Sequence, residues 1–395
     1  MDMLKVNFDL PIERRNTNCT KYDGMAAGFG RTDILPMWIA DMDFPVAEEI
    51  TAAIRKRAEH PVYGYNVFPE GYYSAFTAWL KKRHGWEAEP EWVCHTPGVL
   101  TALAAAILTF TEKGDKVLIQ PPVYFPFSGT IEALDRQVLN NQLLYEDGYF
   151  TIDFDDLERK AKEAKLFVLC SPHNPTGRVW RREELERMEA ICKENGLLVF
   201  SDEIHGDIVY QPAEHILFPA LSGWSRENCI LAMAPSKTFN IAGLEASFIT
   251  IPNREKREKF QHYLRYGLHA ANCNTFGLAA AQAAYEHGEA WYQQLMVYLK
   301  GNLDYLDRAL REKVPQVRLV RSEATYILFL DMRGLGLTPD ALKAFMIDNV
   351  RAALNAGPTF GPGGEGFMRI NIATQRANLE RFVERLSAEV FKLHV

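Results

Sequence analysis

The stretch Leu197-Leu-Val-Phe-Ser201, followed at once by Asp202-Glu-Ile-His205, decides the reading of this 395-residue chain. Its run is short and almost wholly apolar, the mark of a strand covered on both faces rather than one with a wet side. Working outward, the same kind of run recurs at Lys116–Gln120 (KVLIQ), Leu166–Cys170 (LFVLC), Cys229–Ala232 (CILA) and Ser247–Ile251 (SFITI). Segments of helical period separate most of them. Arg182–Asn195 carries Leu185, Met188, Ile191 and Cys192 at helical spacing, charge on the opposite face, and Gly196 as a stop. This alternation predicts an α/β fold in which a mainly parallel sheet is flanked by helices.

From about Trp291 the pattern changes. A long charged helix (QQLMVYLKGNLDYLDRALREKV) gives way to strand-like VRLV and TYILFLDM, a helix from Pro339 and a last helix from Asn378. The expected organisation is a large domain over residues 50–290, with residues 1–49 and 291–395 forming an N-terminal segment and a smaller α+β domain. The stretch before about residue 50 shows no core of its own and is expected to dock on the smaller lobe or on a second subunit. With no internal repeat and no low-complexity linker, the lobes are expected to share an extensive interface.

Composition removes several classes. Hydrophobic residues at 47% and charged residues at 24% describe a globular chain. A net charge of −7 without a long basic run argues against a nucleic-acid partner. The opening MDMLKVNFDLPIERRN lacks the pattern of a signal peptide, and the most apolar stretch, Gly98 to Phe110, falls well short of the roughly 20 residues of a spanning helix. Cys19, Cys94, Cys170, Cys192, Cys229 and Cys273 are scattered, with no C-x-x-C pair, as free thiols in a reducing compartment would be. The expectation is a cytoplasmic protein with no membrane association.

Ligands of open parallel sheets bind beyond the carboxyl ends of the strands, and polar clusters fall there. Lys237, in APSK after CILAM, is placed for its amine to reach an aldehyde and form a Schiff base, although a surface position is the usual fate of a single lysine. Asp202 could keep a pyridine nitrogen protonated, or could cap a helix. Asn174, in SPHNPTG, could donate to a phenolate oxygen of the same ring, or belong to a plain turn. Gly98, Val99 and Leu100 open an apolar helix whose free amides suit a phosphate. Tyr124, in PPVYFPF, could stack on a flat ring or sit in the core. Arg369, in GEGFMRINIA, could clamp a carboxylate or pair on the surface, and the glycine-rich Gly357–Gly366 reads as a turn rather than a dinucleotide fingerprint.

Taken together, Asn174 in HNPTG, Asp202 in SDEIH and Lys237 in APSKTFNIAGL resemble the class I/II aminotransferase family of fold type I over nearly the whole chain. The phrases LPMWIADMDFP, VYGYNVFPEG, SDEIHGDIVY and PSKTFNIAGL resemble its subgroup of MalY/PatB-type cystathionine β-lyases and related carbon–sulfur lyases. The resemblance implies pyridoxal 5'-phosphate as cofactor, with Lys237 bearing it and then acting as base at the α-carbon. It also implies Asp202 at the ring nitrogen, Asn174 at the ring oxygen and Tyr124 stacked on the ring. Val99, Leu100 and Ser236 would hold the phosphate and Arg369 the substrate carboxylate. Tyr65, in register with Tyr63 as its alternative, would reach the neighbouring subunit's site in a homodimer with composite active sites.

Two positions depart from the broader family. Glu245 stands where many members have a phosphate-binding arginine, and His205 stands where many have a tyrosine, so His205 reads either as a cofactor contact or as structural. The resemblance favours β-elimination of a thiol. A PLP-dependent aminotransferase uses the same residues and stands as the alternative, and a regulatory cofactor-binding protein with a protein partner stands behind both.

Overall fold

The computed structural model describes residues 6–393; Met1–Lys5, part of the opening stretch read above for a targeting signal, and His394–Val395 lie outside the described residues. Seven strands form the main sheet: β1 (Val93–Thr96), β2 (Lys116–Ile119), β3 (Gln137–Asn140), β4 (Ala164–Cys170), β5 (Leu198–Asp202), β6 (Cys229–Met233) and β7 (Ser247–Thr250). Their order is β1-β7-β6-β5-β4-β2-β3. Strand β7 runs antiparallel to both neighbours, and every other pairing is parallel.

All five strands expected from apolar runs are present, and the two unexpected ones, VCHT and QVLN, are the two edges. An edge strand has one neighbour and a freer choice of side chain, so its apolar signature is weaker. Helix α1 (Val99–Phe110) packs Ala102, Leu103, Ala106 and Ile107 into the core beneath the sheet. Helix α2 (Arg182–Glu194) buries Leu185, Met188, Ile191 and Cys192, and Gly196 follows it with φ of +65°, a conformation that favours glycine.

A second, antiparallel sheet is built from β8 (Arg318–Leu319), β9 (Ile327–Asp331), β10 (Asn355–Ala356) and β11 (Phe367–Asn371), ordered β8-β9-β11-β10. Helices α3 (Glu289–Lys313) and α4 (Arg376–Leu393) pack together beside it. Arg369, expected at the entry to a strand, lies in the middle of β11, opposite Phe329 on one side and Asn355 on the other.

The N-terminal stretch docks on this second sheet's side of the chain. Leu35–Pro36 pairs in parallel with Ala352–Ala353, and Phe8 packs against Phe44, Trp291 and Tyr298. Among the described residues no helix is long and apolar enough to cross a membrane, and all six cysteines are free thiols.

Candidate active site

Because β4, β5 and β6 are parallel neighbours, their carboxyl ends open on one side, and the residues just past them converge. A cavity of about 200 Å³ there is lined by Asn174 beyond β4, Asp202 at the end of β5, Ser236 and Lys237 beyond β6, and Gly98, Val99 and Leu100 at the start of α1. Tyr124, Ile204, His205, Glu245 and Ala40 also stand in its wall. Asp202, expected just after its strand, is that strand's last residue and pairs with Cys170 across the sheet.

Asp202 is 5% exposed and accepts a backbone hydrogen bond from Ile204 at 3.2 Å. Burial pushes its pKa up to about 7, the response of a carboxylate short of compensating charge. Across the cavity, enclosure of the Lys237 amine draws its pKa down to about 8, against the opposing pull of Asp41. The amine donates to the Ala40 carbonyl at 2.8 Å. His205 is buried, with no partner for Nδ1 among the described residues, and burial beside Lys237 and Arg369 lowers its pKa to about 3, so its ring is neutral.

Arg369 is 4% exposed and donates to the Asn174 Oδ1 at 3.2 Å, the Trp38 carbonyl at 3.0 Å and the Asn355 Oδ1 at 2.9 Å. Its guanidinium lies 4.8 Å from the Phe360 ring centre. No carboxylate is among these partners, and burial lowers the Arg369 pKa to about 10. A buried guanidinium bonded only to neutral oxygens has charge to spare for a carboxylate ligand. Because Asn174 Oδ1 accepts from Arg369, its amide nitrogen is the atom left to donate elsewhere.

These groups fit a phosphorylated pyridine aldehyde. Asp202 lacks a cationic partner that a ring N–H would supply, Asn174 has a free donor, and Gly98 precedes the helix start in an extended conformation that leaves the first amides open. At the phosphate end the fit is less complete: Glu245 lines the wall with its backbone at φ +50°, and no arginine lines the cavity among the described residues.

Tyr65 does not join this cavity within the chain; it is fully exposed, and Tyr63 is largely exposed beside it. The residues that sequence reasoning missed form a strap from Met37 to Phe44, which crosses the site pinned through its backbone. Arg369 holds the carbonyl of Trp38, Lys237 and Tyr326 hold that of Ala40, and Asn371 holds those of Ile39 and Asp41. Asn240 bonds to Met42 and Phe44, and Gln375 to Asp43. Each such bond contributes about 0.5–1.5 kcal/mol net, so together they offset much of the roughly 1–2 kcal/mol per residue that ordering the strap costs. Backbone carbonyls carry no side-chain signature; the phrase LPMWIADMDFP, part of the family resemblance, was the one signal available.

The chain matches the family model for aminotransferase class I and II over residues 33–386. It is 42% identical to the cystathionine beta-lyase PatB of Bacillus subtilis (strain 168), over 97% of this chain and 99% of that protein. It is 34% identical to protein MalY of Escherichia coli (strain K12), over 96% and 97% respectively. Its backbone also matches cystalysin from Treponema denticola, whose crystal structure contains a pyridoxal 5'-phosphate cofactor, with a TM-score of 0.95 at 33% identity over 98% of this chain and 99% of that one. With a family model spanning most of the sequence and relatives matched nearly end to end, the chain belongs to the class I and II aminotransferase family.

Proposed function

We propose that this protein is a pyridoxal 5'-phosphate-dependent carbon–sulfur β-lyase, which cleaves cystathionine or related L-cysteine derivatives to a thiol, pyruvate and ammonia. One observation carries the reading: an amine, a carboxylate and an amide converge at one cavity, with a buried guanidinium bonded to that amide from behind the wall, in a chain 42% identical to a cystathionine β-lyase over nearly its full length. Pyridoxal phosphate, when bound, supplies an aldehyde with which amines condense and a protonated ring that takes up the electron pair left at the substrate's α-carbon.

In this reading Lys237 bears the cofactor and, once the substrate amine has displaced it, removes the α-proton. An amine whose pKa is near 8 keeps a usable neutral fraction at neutral pH. Asp202 holds the proton on the ring nitrogen, Asn174 donates to the ring oxygen and Tyr124 lies against the ring. The amides at Gly98, Val99 and Leu100, with the Ser236 hydroxyl, bind the phosphate. His205 adds a neutral imidazole to the same wall. Arg369 clamps the substrate carboxylate by a bidentate pair, which fixes the α-carbon beside Lys237. Departure of the thiolate from the β-carbon then commits the substrate to pyruvate and ammonia.

Residues 50–290 serve as the cofactor-binding domain, with 1–49 and 291–395 as the closing lobe. The protein works as a cytoplasmic homodimer. Val62, Tyr63, Tyr65 and Val67 stand exposed along one segment, an apolar edge that suits a second copy, into whose site Tyr65 reaches.

The test is an assay with L-cystathionine and no keto acid, following pyruvate and free thiol together, with Lys237→Ala as the control. Stoichiometric appearance of both, absent from the colourless control, is expected. Silence there, with amino transfer from other amino acids that depends on a keto acid, would move the assignment to aminotransferase.

A further inference from the structure

The residues that follow Lys237 and Asp202 in sequence both enter one buried polar framework, none of whose members lines the cavity. Thr238, wholly buried, donates its hydroxyl to Asp207 Oδ2 at 2.7 Å. The Asp207 carboxylate accepts also from Trp79 Nε1 at 3.0 and 3.1 Å and lies 3.0 Å from His84 Nε2. The Tyr292 hydroxyl donates to the Asp207 carbonyl. Beside it, Glu203 accepts from Ser201 Oγ at 2.7 Å and the Phe218 amide at 3.0 Å, and lies 2.7 Å from His215 Nε2. The His84 and His215 rings meet edge to face, 5.5 Å apart.

Burying a carboxylate costs several kcal/mol unless charge and donors compensate it. For Asp207 burial acts to raise the pKa, but His84, Thr238 and Trp79 outweigh it and hold the group below the usual carboxylate range. The helix that carries Lys237, Pro235–Thr238, is a single turn, closed by a bond from the Phe239 amide to Pro235 and followed by one from the Ile241 amide to Ser236. One turn cannot hold its own direction, because a helix nucleus gains too few bonds for the dihedrals it fixes. Its orientation must come from outside.

We propose that Asp207 is a positioning residue for the cofactor-bearing lysine: by gripping the Thr238 hydroxyl it fixes the turn Pro235–Thr238, and so the direction from which Lys237 reaches its target carbon. His84 and Trp79 fix Asp207 in turn, and the Glu203–His215 pair does the same for the segment that starts at Asp202. The inference rests on the reading of Lys237 given above.

The experiment compares holoenzymes carrying Thr238→Val, which keeps the shape and loses the hydroxyl, Thr238→Ser, which keeps the hydroxyl, and Asp207→Asn. Thr238→Val and Asp207→Asn should lower kcat about 10- to 100-fold with KM little changed, as expected when a reacting group is misdirected by a fraction of an ångström. The circular dichroism of the bound cofactor's visible band should change with them. Thr238→Ser should stay within about threefold, and the double variant should lose no more than the worse single one, since the two side chains form one link. Wild-type kcat and dichroism in Thr238→Val, or a loss in Thr238→Ser equal to that in Thr238→Val, would overturn the proposal. If Asp207→Asn fails to fold, the two Thr238 variants decide alone. A visible cofactor band persisting in Lys237→Ala would instead sink the underlying reading of the lysine.

Discussion

The two ends of the cavity are built on different terms. At the Arg369 side most polar groups are held from within the chain: the guanidinium has three oxygen partners and an aromatic face, with Nε alone left over among the described residues, and the strap beside it is bonded to both lobes. At the Gly98 end Ala242, Gly243 and Glu245 are exposed, and the tyrosine segment that the resemblance assigns to a neighbour's site stands bare. The first is enclosed by this chain. The second is open in it, and is the side at which the proposed second copy would stand.

The comparison can be broken most severely at the enclosed side. Arg369→Ala should lower kcat/KM by a factor of about 30 to several thousand, the equivalent of about 2–5 kcal/mol for a buried charge pair, while the visible cofactor band persists. Arg369→Lys should restore little, because a point charge cannot reproduce the two-pronged geometry. Steady-state kinetics with any accepted substrate reads this directly, and an unchanged KM would place the carboxylate elsewhere.

The open end gives a middle-sized effect. Tyr65→Ala should cost about tenfold in turnover, in the range of a single lost contact of about 1–1.5 kcal/mol. Mixed dimers refolded from Tyr65→Ala and Lys237→Ala chains should then rise above the residual activity of either variant alone, since one site of each mixed dimer keeps Lys237 on one chain and Tyr65 on the other. No recovery would mean that Tyr65 acts within its own chain or not at all.

The smallest effect belongs to Glu245. A carboxylate beside a bound phosphate repels it, so Glu245→Gln should tighten cofactor binding about two- to fivefold, and the advantage should shrink as salt rises. Titration of the cofactor-free protein, read from the visible band, checks both. Weaker binding in the variant would show that Glu245 supports the cradle instead of opposing its ligand.

What could be read without a structure follows the same division. The inner strands of the main sheet announced themselves because a doubly covered strand must be apolar through its length, and they brought Asn174, Asp202 and Lys237 to one place because parallel strands share a carboxyl end. The edges β1 and β3 were silent: His95 and Thr96 in one, Gln137 and Asn140 in the other, break the apolar run. Arg369 was found by residue type and context, but its neighbours Trp38, Asn355 and Phe360 were not, because they meet it across more than 300 residues, across an antiparallel pairing and from an irregular turn, with no spacing to betray them. Asp207 was passed over for a related reason, since a carboxylate that faces inward looks in sequence like any other acid after a strand.

The strap from Met37 to Phe44 has a consequence for the order in which the molecule can be assembled. Its carbonyls find their donors on residues such as Arg369, Asn371 and Gln375, made more than 300 residues later. During synthesis, at about 5–20 residues per second, those carbonyls therefore wait at least about 15 seconds for their donors, and for at least about the last 6 of those seconds the central sheet already has all its strands. Acceptors that pair only with late-made chain are the last to settle, so the newborn protein passes through a stage with its sheet formed and the carbonyls of Trp38, Ile39 and Asp43 still open, while Lys237 and Asn240 already hold those of Ala40, Met42 and Phe44.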